Sequence, residues 1–243
     1  MTEKPEELML DYYFDDMDAC PCKAAFENID YIWDALKNKK HLLDLKESVI
    51  HGKLDETVKI IGHVKIGKGT VIESNVVIEG PVIIGENVTI RPNALIRPGC
   101  IIGNEVVIGH STEVKNVIAF NEVKMASHTF VGDTILGKGA RIGSGTIIGN
   151  RRFDQKTAKV RIKDHVIDVG VEKYGGIIGE YVRLGANCST SPGMMIGKHT
   201  WVYAGVLVQG FIPKESLVKL RQAIEIVHKD KMELSRTDDE GHI

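Results

Sequence analysis

Leucine is scarce in this 243-residue chain: 14 residues, against 29 isoleucines and 24 valines. Leucine ordinarily leads the composition of a globular protein. β-Branched side chains suit strands and lose rotamer freedom in helices, so a mainly helical protein is excluded. One-sided charge is lacking too: 31 Lys and Arg face 33 Asp and Glu, a net −2. That balance argues against a general nucleic-acid partner or a polybasic membrane contact. No apolar run approaches the ~18 residues of a membrane span, and the start, MTEKPEELMLDYYFDD, is too acidic for a signal peptide. The expected setting is cytoplasmic. Four cysteines (Cys20, Cys22, Cys100, Cys188) are too few for a disulfide scaffold. Cys20-Pro21-Cys22 has no second pair and no flanking His, which favours free thiols over a zinc site.

What is present is a repeat. Ile60, Ile66, Ile72, Ile78, Ile84, Ile90, Ile96, Ile102 and Ile108 fall six residues apart, and Val114 takes the next position. Two residues before each runs a second, smaller series from Val58 through Val64, Thr70 and Val76 to Thr112. Six fits neither a helix nor a free-running strand. It fits a short strand with inward isoleucine followed by a corner, where Gly67, Gly85, Gly103 and Gly109 relieve the backbone. Three such sides make a triangular coil of 18 residues, each stacked on the next. The expected fold is an all-β solenoid, a parallel β-helix with short helical segments at both ends.

The phase lapses over 115–132 and again over 151–176 (RRFDQKTAKVRIKDHVIDVGVEKYGG). Insertions on a solenoid collect as loops that often carry function, so both stretches are expected to be excursions. The second is long enough for a hairpin with arms at Lys159–Ile162 and His165–Val169. Phe26, Ile29, Trp33 and Leu36 at helical spacing predict a helix within 22–45 that covers the open first coil. Residues 214–232 predict a second helix. The organisation expected is thus a helical cap over 1–50, the β-helix over 51–213, and a helix with a polar tail over 214–243.

Continuous hexads of this kind resemble the left-handed β-helix of the hexapeptide-repeat acyltransferases; the handedness comes from that resemblance. From Arg97 onward the match sharpens. RPGCIIGNEVVIGHSTEVKN, SHTFVGDTILGKGARIGSGTIIGNRRFD and IIGEYVRLGANCSTSPGMMIG resemble the acetyltransferase half of bifunctional sugar-1-phosphate enzymes. Those enzymes join a nucleotidyltransferase to a β-helix that acetylates glucosamine 1-phosphate. No L-x-G-G-x-G-T-R loop of the nucleotidyltransferase half occurs in this sequence. The resemblance implies a homotrimer with sites at subunit interfaces, acetyl-CoA as acyl donor, and no metal, nucleic-acid or membrane partner.

Carried over by position, Arg97 and Lys115 match residues that hold the phosphorylated acceptor, work that suits an Arg fork and a Lys point charge. Asn150 and Lys156 match the Asn and Lys of the family's sugar-binding loop. Ala204 matches a small residue whose backbone meets pantetheine, and Ala186 and Arg221 join it as cofactor-binding positions. His128 is the candidate general base, since an imidazole can accept the proton lost by an attacking amine. The family pattern is His-x-x-Tyr-x-Gly-Asp, whereas this chain reads Ser127-His128-Thr129-Phe130-Val131-Gly132-Asp133. Ser127 holds the family's His position, His128 falls one residue late, and Phe130 replaces Tyr. A one-residue shift reverses side-chain direction in a strand unless a bulge restores it. His63, His110, His165 and His199 lie on corners or in the excursion. No two histidines are five apart, which argues against the zinc-dependent relatives with a His-x-x-x-x-His pair.

The leading expectation is acetyl-CoA-dependent N-acetylation of an amino-sugar 1-phosphate in nucleotide-sugar biosynthesis. Two alternatives stand beside it. One is an acyltransferase for a nucleotide-linked amino sugar. The other is a non-catalytic trimer that binds sugar phosphate or docks a separate nucleotidyltransferase.

Overall fold

A computed structural model describes residues 5–228. Its strands form three long parallel sheets, the faces of one prism, of nine, nine and eight strands. The first face includes Val64–Ile66, Val82–Ile84 and Cys100–Ile102; the second Val71–Ile72, Thr89–Ile90 and Val107–Ile108; the third Val77–Glu79, Leu95–Ile96 and Glu113–Lys115. Each strand lies against the one a coil later, Val64 beside Val82 and Ile83 beside Ile101, the eighteen-residue step that the hexads predict.

Both hexad series point inward. Ile66 through Ile108 are buried, as are Val64, Val76, Val82, Val88 and Val106. Where threonine replaces valine in the inner series, its hydroxyl is satisfied: Thr70 donates to the Gly85 carbonyl (2.8 Å) and Thr112 to that of Ala126 (2.7 Å). A buried hydroxyl without a partner would cost about 1–3 kcal/mol.

Three expectations are corrected. Residues 115–132 are not an excursion but an ordinary coil, with strands at Ile118–Ala119, Lys124–Met125 and Phe130–Gly132. The phase lapses because one corner is a residue short: Glu113 pairs with Phe130 and Ile101 with Ile118, a step of seventeen. The genuine excursion leaves after Ile148 and returns at Gly176, carrying an antiparallel hairpin of Lys159–Ile162 and His165–Asp168. At the C-terminal end no helix forms over 214–228; Leu217–Val218 instead pairs with Trp201–Val202, because Val218 continues the inward series. The remainder of the expected helix and tail, 229–243, lies outside the described residues.

The N-terminal residues do not form one helix over the open coil. They form short 3-10 turns at Lys23–Phe26, Ile32–Asp34 and Lys39–Leu43 and a four-residue α-helix, Ala35–Asn38, interrupted at Asn28, whose φ of 53° is left-handed. This arm lies along the outside of the first face. There the outward residues are apolar as well: Ile101, Ile118, Ile135, Ile177 and Met195 are buried beneath Phe14, Phe26, Trp33 and Leu36. Phe120 stacks on Phe14 (4.8 Å between centroids) and meets Phe26 edge-on (5.9 Å). The Glu7 carboxylate pairs with Lys163 and ties the arm to the hairpin. Ile135 faces away from the coil yet is fully buried, so Ile135→Ala should lower unfolding free energy by about 2–4 kcal/mol. A loss below ~0.5 kcal/mol in denaturant unfolding would contradict this role of the arm.

Candidate functional site

The corner between the third and first faces is where the coil length changes and where the excursion departs. It stacks three polar side chains from successive coils: Asn116, Asp133 and Asn150. Asp133, buried, accepts from Asn116 Nδ2 (2.7 Å) on one oxygen and from Asn150 Nδ2 (2.6 Å) on the other. A carboxylate only accepts, so both amides must turn their NH2 groups to it. Asn116 Oδ1 then accepts from Lys39 Nζ (2.5 Å), and Asn150 Oδ1 is left for something outside the trio. Gly132 makes room, since a Cβ there would lie 2.8 Å from Asn150 Nδ2. Lys39, only 1% exposed, comes from the N-terminal arm; burial pushes its pKa down to about 8 against the smaller opposing pull of Cys100, Cys22 and Asp133. A cavity of about 140 Å3 opens beside Asn116, between the arm and the excursion, with Lys37, Lys40 and Lys173 on its walls.

Of the expected acceptor residues, Lys115 and Asn150 share this corner. The Lys115 carbonyl accepts the Asp133 amide (2.9 Å) and Asn150 contributes its side chain to the trio. Arg97 sits on the same corner one coil earlier, but its guanidinium reaches Glu113 Oε1 (2.8 Å), which raises its pKa; a phosphate there would compete with that carboxylate. Lys156 is exposed on the excursion, just after an Arg152–Asp154 pair (2.6 and 2.8 Å).

His128 lies elsewhere, on the edge between the second and third faces. There one column of left-handed corner residues runs Ser111, His128, Gly145, Asn187, Gly205, and the residues preceding them run His110, Ser127, Ser144, Ala186, Ala204. Backbone hydrogen bonds link the coils of this edge: His128 N–H donates to the His110 carbonyl, Asn187 N–H to that of Ser144, and Gly205 N–H to that of Ala186. No bulge restores His128 to the direction of Ser127; its φ of 59° makes it the corner residue itself. Its exposed ring meets His110 edge-on, 5.2 Å between centroids.

His110 was given no role in the sequence, yet it occupies the column of Ser127 one coil earlier. Its Nδ1 lies 2.9 Å from the Pro92 carbonyl and its Nε2 3.1 Å from Ser111 Oγ. A carbonyl only accepts, so Nδ1 carries a hydrogen, and Nε2 faces the Ser111 hydroxyl. Ala186 and Ala204 lie two and three coils beyond His128 on the same edge, about 10 and 14 Å at ordinary strand spacing. Leu220 packs near Gly205, 3.6 Å from a Cβ there, which brings Arg221 to the end of that edge.

Within one chain the two groups therefore do not meet. His128 and Gly132 are four residues apart along an extended strand, roughly 13 Å, so the width of the third face separates the imidazole edge from the Asn150 corner. Next to that corner the face is apolar and partly bare: Phe130 is half-buried, Ile147 is 47% and Leu207 57% exposed. The second face is different. Lys124, Arg141 and Arg183 stand on directly paired strands and continue into Trp201. Burial and the Arg141 charge both lower the Arg183 pKa, and like charges in adjacent register repel unless an anion lies between them. No cluster of three or more His, Cys, Asp or Glu side chains among the described residues is spaced to hold a metal ion.

Three faces, hexad corners and inward β-branched residues define a parallel β-helix of the hexapeptide type. LpxA from Acinetobacter baumannii superposes with a TM-score of 0.57 at 13% identity, over 70% of this chain and 65% of that one, and this chain shares its left-handed coil. The chain belongs to the GMPPB C-terminal domain family, which it matches over residues 78–212. It is 40% identical over 207 residues to the bifunctional protein GlmU of Methanococcus maripaludis, covering 85% of this chain and 50% of that protein. It is 38% identical over 177 residues to a bifunctional sugar-1-phosphate nucleotidylyltransferase/acetyltransferase of Sulfurisphaera tokodaii, covering 72% and 45%. The chain spans about half the length of these curated relatives.

Lys39 supplies a pH test of the corner. In the folded chain its proton leaves near pH 8, in the unfolded chain near 10.5, so the native state binds fewer protons between those values and stability rises with pH there. Lys39→Met should remove that rise. Denaturant unfolding at pH 7.5 and pH 10 checks it, and an unchanged slope would show that Lys39 is not buried as a charge.

Proposed function

We propose that the chain transfers an acetyl group from acetyl-CoA to the amine of an amino-sugar 1-phosphate, in the assembled form of several copies. The observation that carries this reading is the Asn150 amide: Asp133 fixes its nitrogen, which leaves its oxygen to accept a hydrogen from an acceptor amine, at the corner that Lys115 shares two coils earlier. In the step itself the amine nitrogen attacks the thioester carbonyl, the C–N bond forms, and the C–S bond breaks. The amine proton passes to an imidazole at the His128 edge, and that imidazolium returns it to the departing thiolate, which leaves as CoA thiol. The edge-on contact of the His110 and His128 rings supports this edge as the proton acceptor. The small column at Ala186 and Ala204 leaves room for an extended pantetheine, with Arg221 at its far end, and the Lys124–Arg141–Arg183 ladder suits phosphate groups of either substrate.

Because one chain keeps the two groups a face apart, a neighbouring copy must bring its His128 edge to the Asn150 corner. The bare apolar third face supports such an association, and a homotrimer is the proposed form. The four free thiols suit a reducing, cytoplasmic setting.

Thiol release from acetyl-CoA with glucosamine 1-phosphate should be measurable, and His128→Ala should lower kcat by about 10²–10⁴. Turnover intact in His128→Ala but lost in His110→Ala would move the base to His110. No turnover with any amino sugar, alongside retained binding of glucosamine 1-phosphate, would favour the binding-only reading. Ile147→Glu on the third face should convert the assembly to single chains in light scattering and abolish turnover; an unchanged particle would show that this face does not join copies.

A further inference from the structure

The N-terminal arm covers apolar surface, but one of its side chains does something a cover does not require. Lys39 is a buried ammonium with no carboxylate in direct contact among the described residues; its hydrogen bond goes to the amide oxygen of Asn116. An apolar residue would fill that space without the cost of burying a charge. Its effect is on orientation. With Oδ1 of Asn116 engaged by Lys39, that amide has its Nδ2 turned to Asp133, and Asp133 is left one oxygen for Asn150. Remove Lys39, and the half-buried Asn116 Oδ1 loses its donor, which leaves the amide free to turn away and release Asp133 from its fixed place. The Asn150 backbone is tied separately, its carbonyl accepting from Tyr174 N–H (2.8 Å), so only the side chain depends on the relay.

We propose that Lys39 is a positioning residue for the acceptor: through Asn116 and Asp133, the N-terminal arm holds the side-chain oxygen Oδ1 of Asn150 towards the acceptor amine. The arm is then part of the site. This rests on the acetyltransferase reading above, and the test separates the two. The full chain, its Lys39→Met variant and its Asp133→Asn variant would be titrated with glucosamine 1-phosphate by calorimetry and assayed for thiol release. Asp133→Asn approaches the relay from its other end, and circular dichroism establishes that each variant keeps the β-helix.

Lys39→Met should weaken glucosamine 1-phosphate binding, and raise its KM, about tenfold, the size of one hydrogen bond to a well-placed group. The KM for acetyl-CoA should stay within about twofold, a split that general loosening of the coil would not produce. Equal binding by a folded Lys39→Met, or an equal loss for both substrates, overturns the proposal. If the wild-type chain binds no glucosamine 1-phosphate, the functional reading fails instead. The side-chain amide resonances of Asn150 then decide the relay: a shift in Lys39→Met supports it, and unmoved resonances refute it.

Discussion

The equal spacing of the inward β-branched side chains is the constraint on which this molecule depends. A triangular coil closes only if each side delivers a residue of similar size to the axis, and Ile66 to Ile108 do so without interruption. Each isoleucine stacks on the one eighteen residues later, so a small change of volume at one position would be felt by its neighbours above and below. The same regularity makes corners equivalent from coil to coil. Function can then be built by stacking different side chains at one corner, as Asn116, Asp133 and Asn150 are stacked, and as His110, Ser127, Ser144, Ala186 and Ala204 are on another.

With the interior committed to this repeat, the three outer faces divide the remaining work. The first is apolar and sealed by the chain's own arm. The second carries a ladder of cations ending on Trp201. The third bears exposed Ile147 and Leu207 with half-buried Phe130, the imidazole edge on one side and the Asn150 corner on the other. Under the proposed function, such a division leaves the two halves of the site to be joined by a second copy.

Much of this was legible in the hexads. They give the coil length, the inward series and the excursion hairpin, because a period of six admits one geometry. The lapse at 115–132 misled because a corner shortened by one residue has the same signature in one dimension as a loop; only the pairing of Ile101 with Ile118 shows that the coil continues. The covered face was visible and overlooked: apolar doublets at Ile83-Ile84, Ile101-Ile102, Ile118-Ala119, Ile135-Leu136 and Ile177-Ile178 put a hydrophobic residue outside as well as inside the same face. The arm itself was misread because Phe26, Trp33 and Leu36 keep helical spacing across Asn28, where the chain turns left-handed.

The candidate site was legible only in part. Asn150 and Lys115 could be carried by resemblance, but Lys39 lies 77 residues from Asn116 and no local pattern links them. His110 looked like any corner histidine until the Pro92 carbonyl and Ser111 placed its hydrogen. Under the proposed function, chemistry occurs where the Asn150 corner of one copy meets the His128 edge of another. A crystal structure with glucosamine 1-phosphate and CoA tests it most directly. The account predicts the sugar amine within hydrogen-bond reach of Asn150 Oδ1, facing an imidazole from a neighbouring chain. A sugar held by residues of one chain alone, or bound away from Asn150, would contradict it.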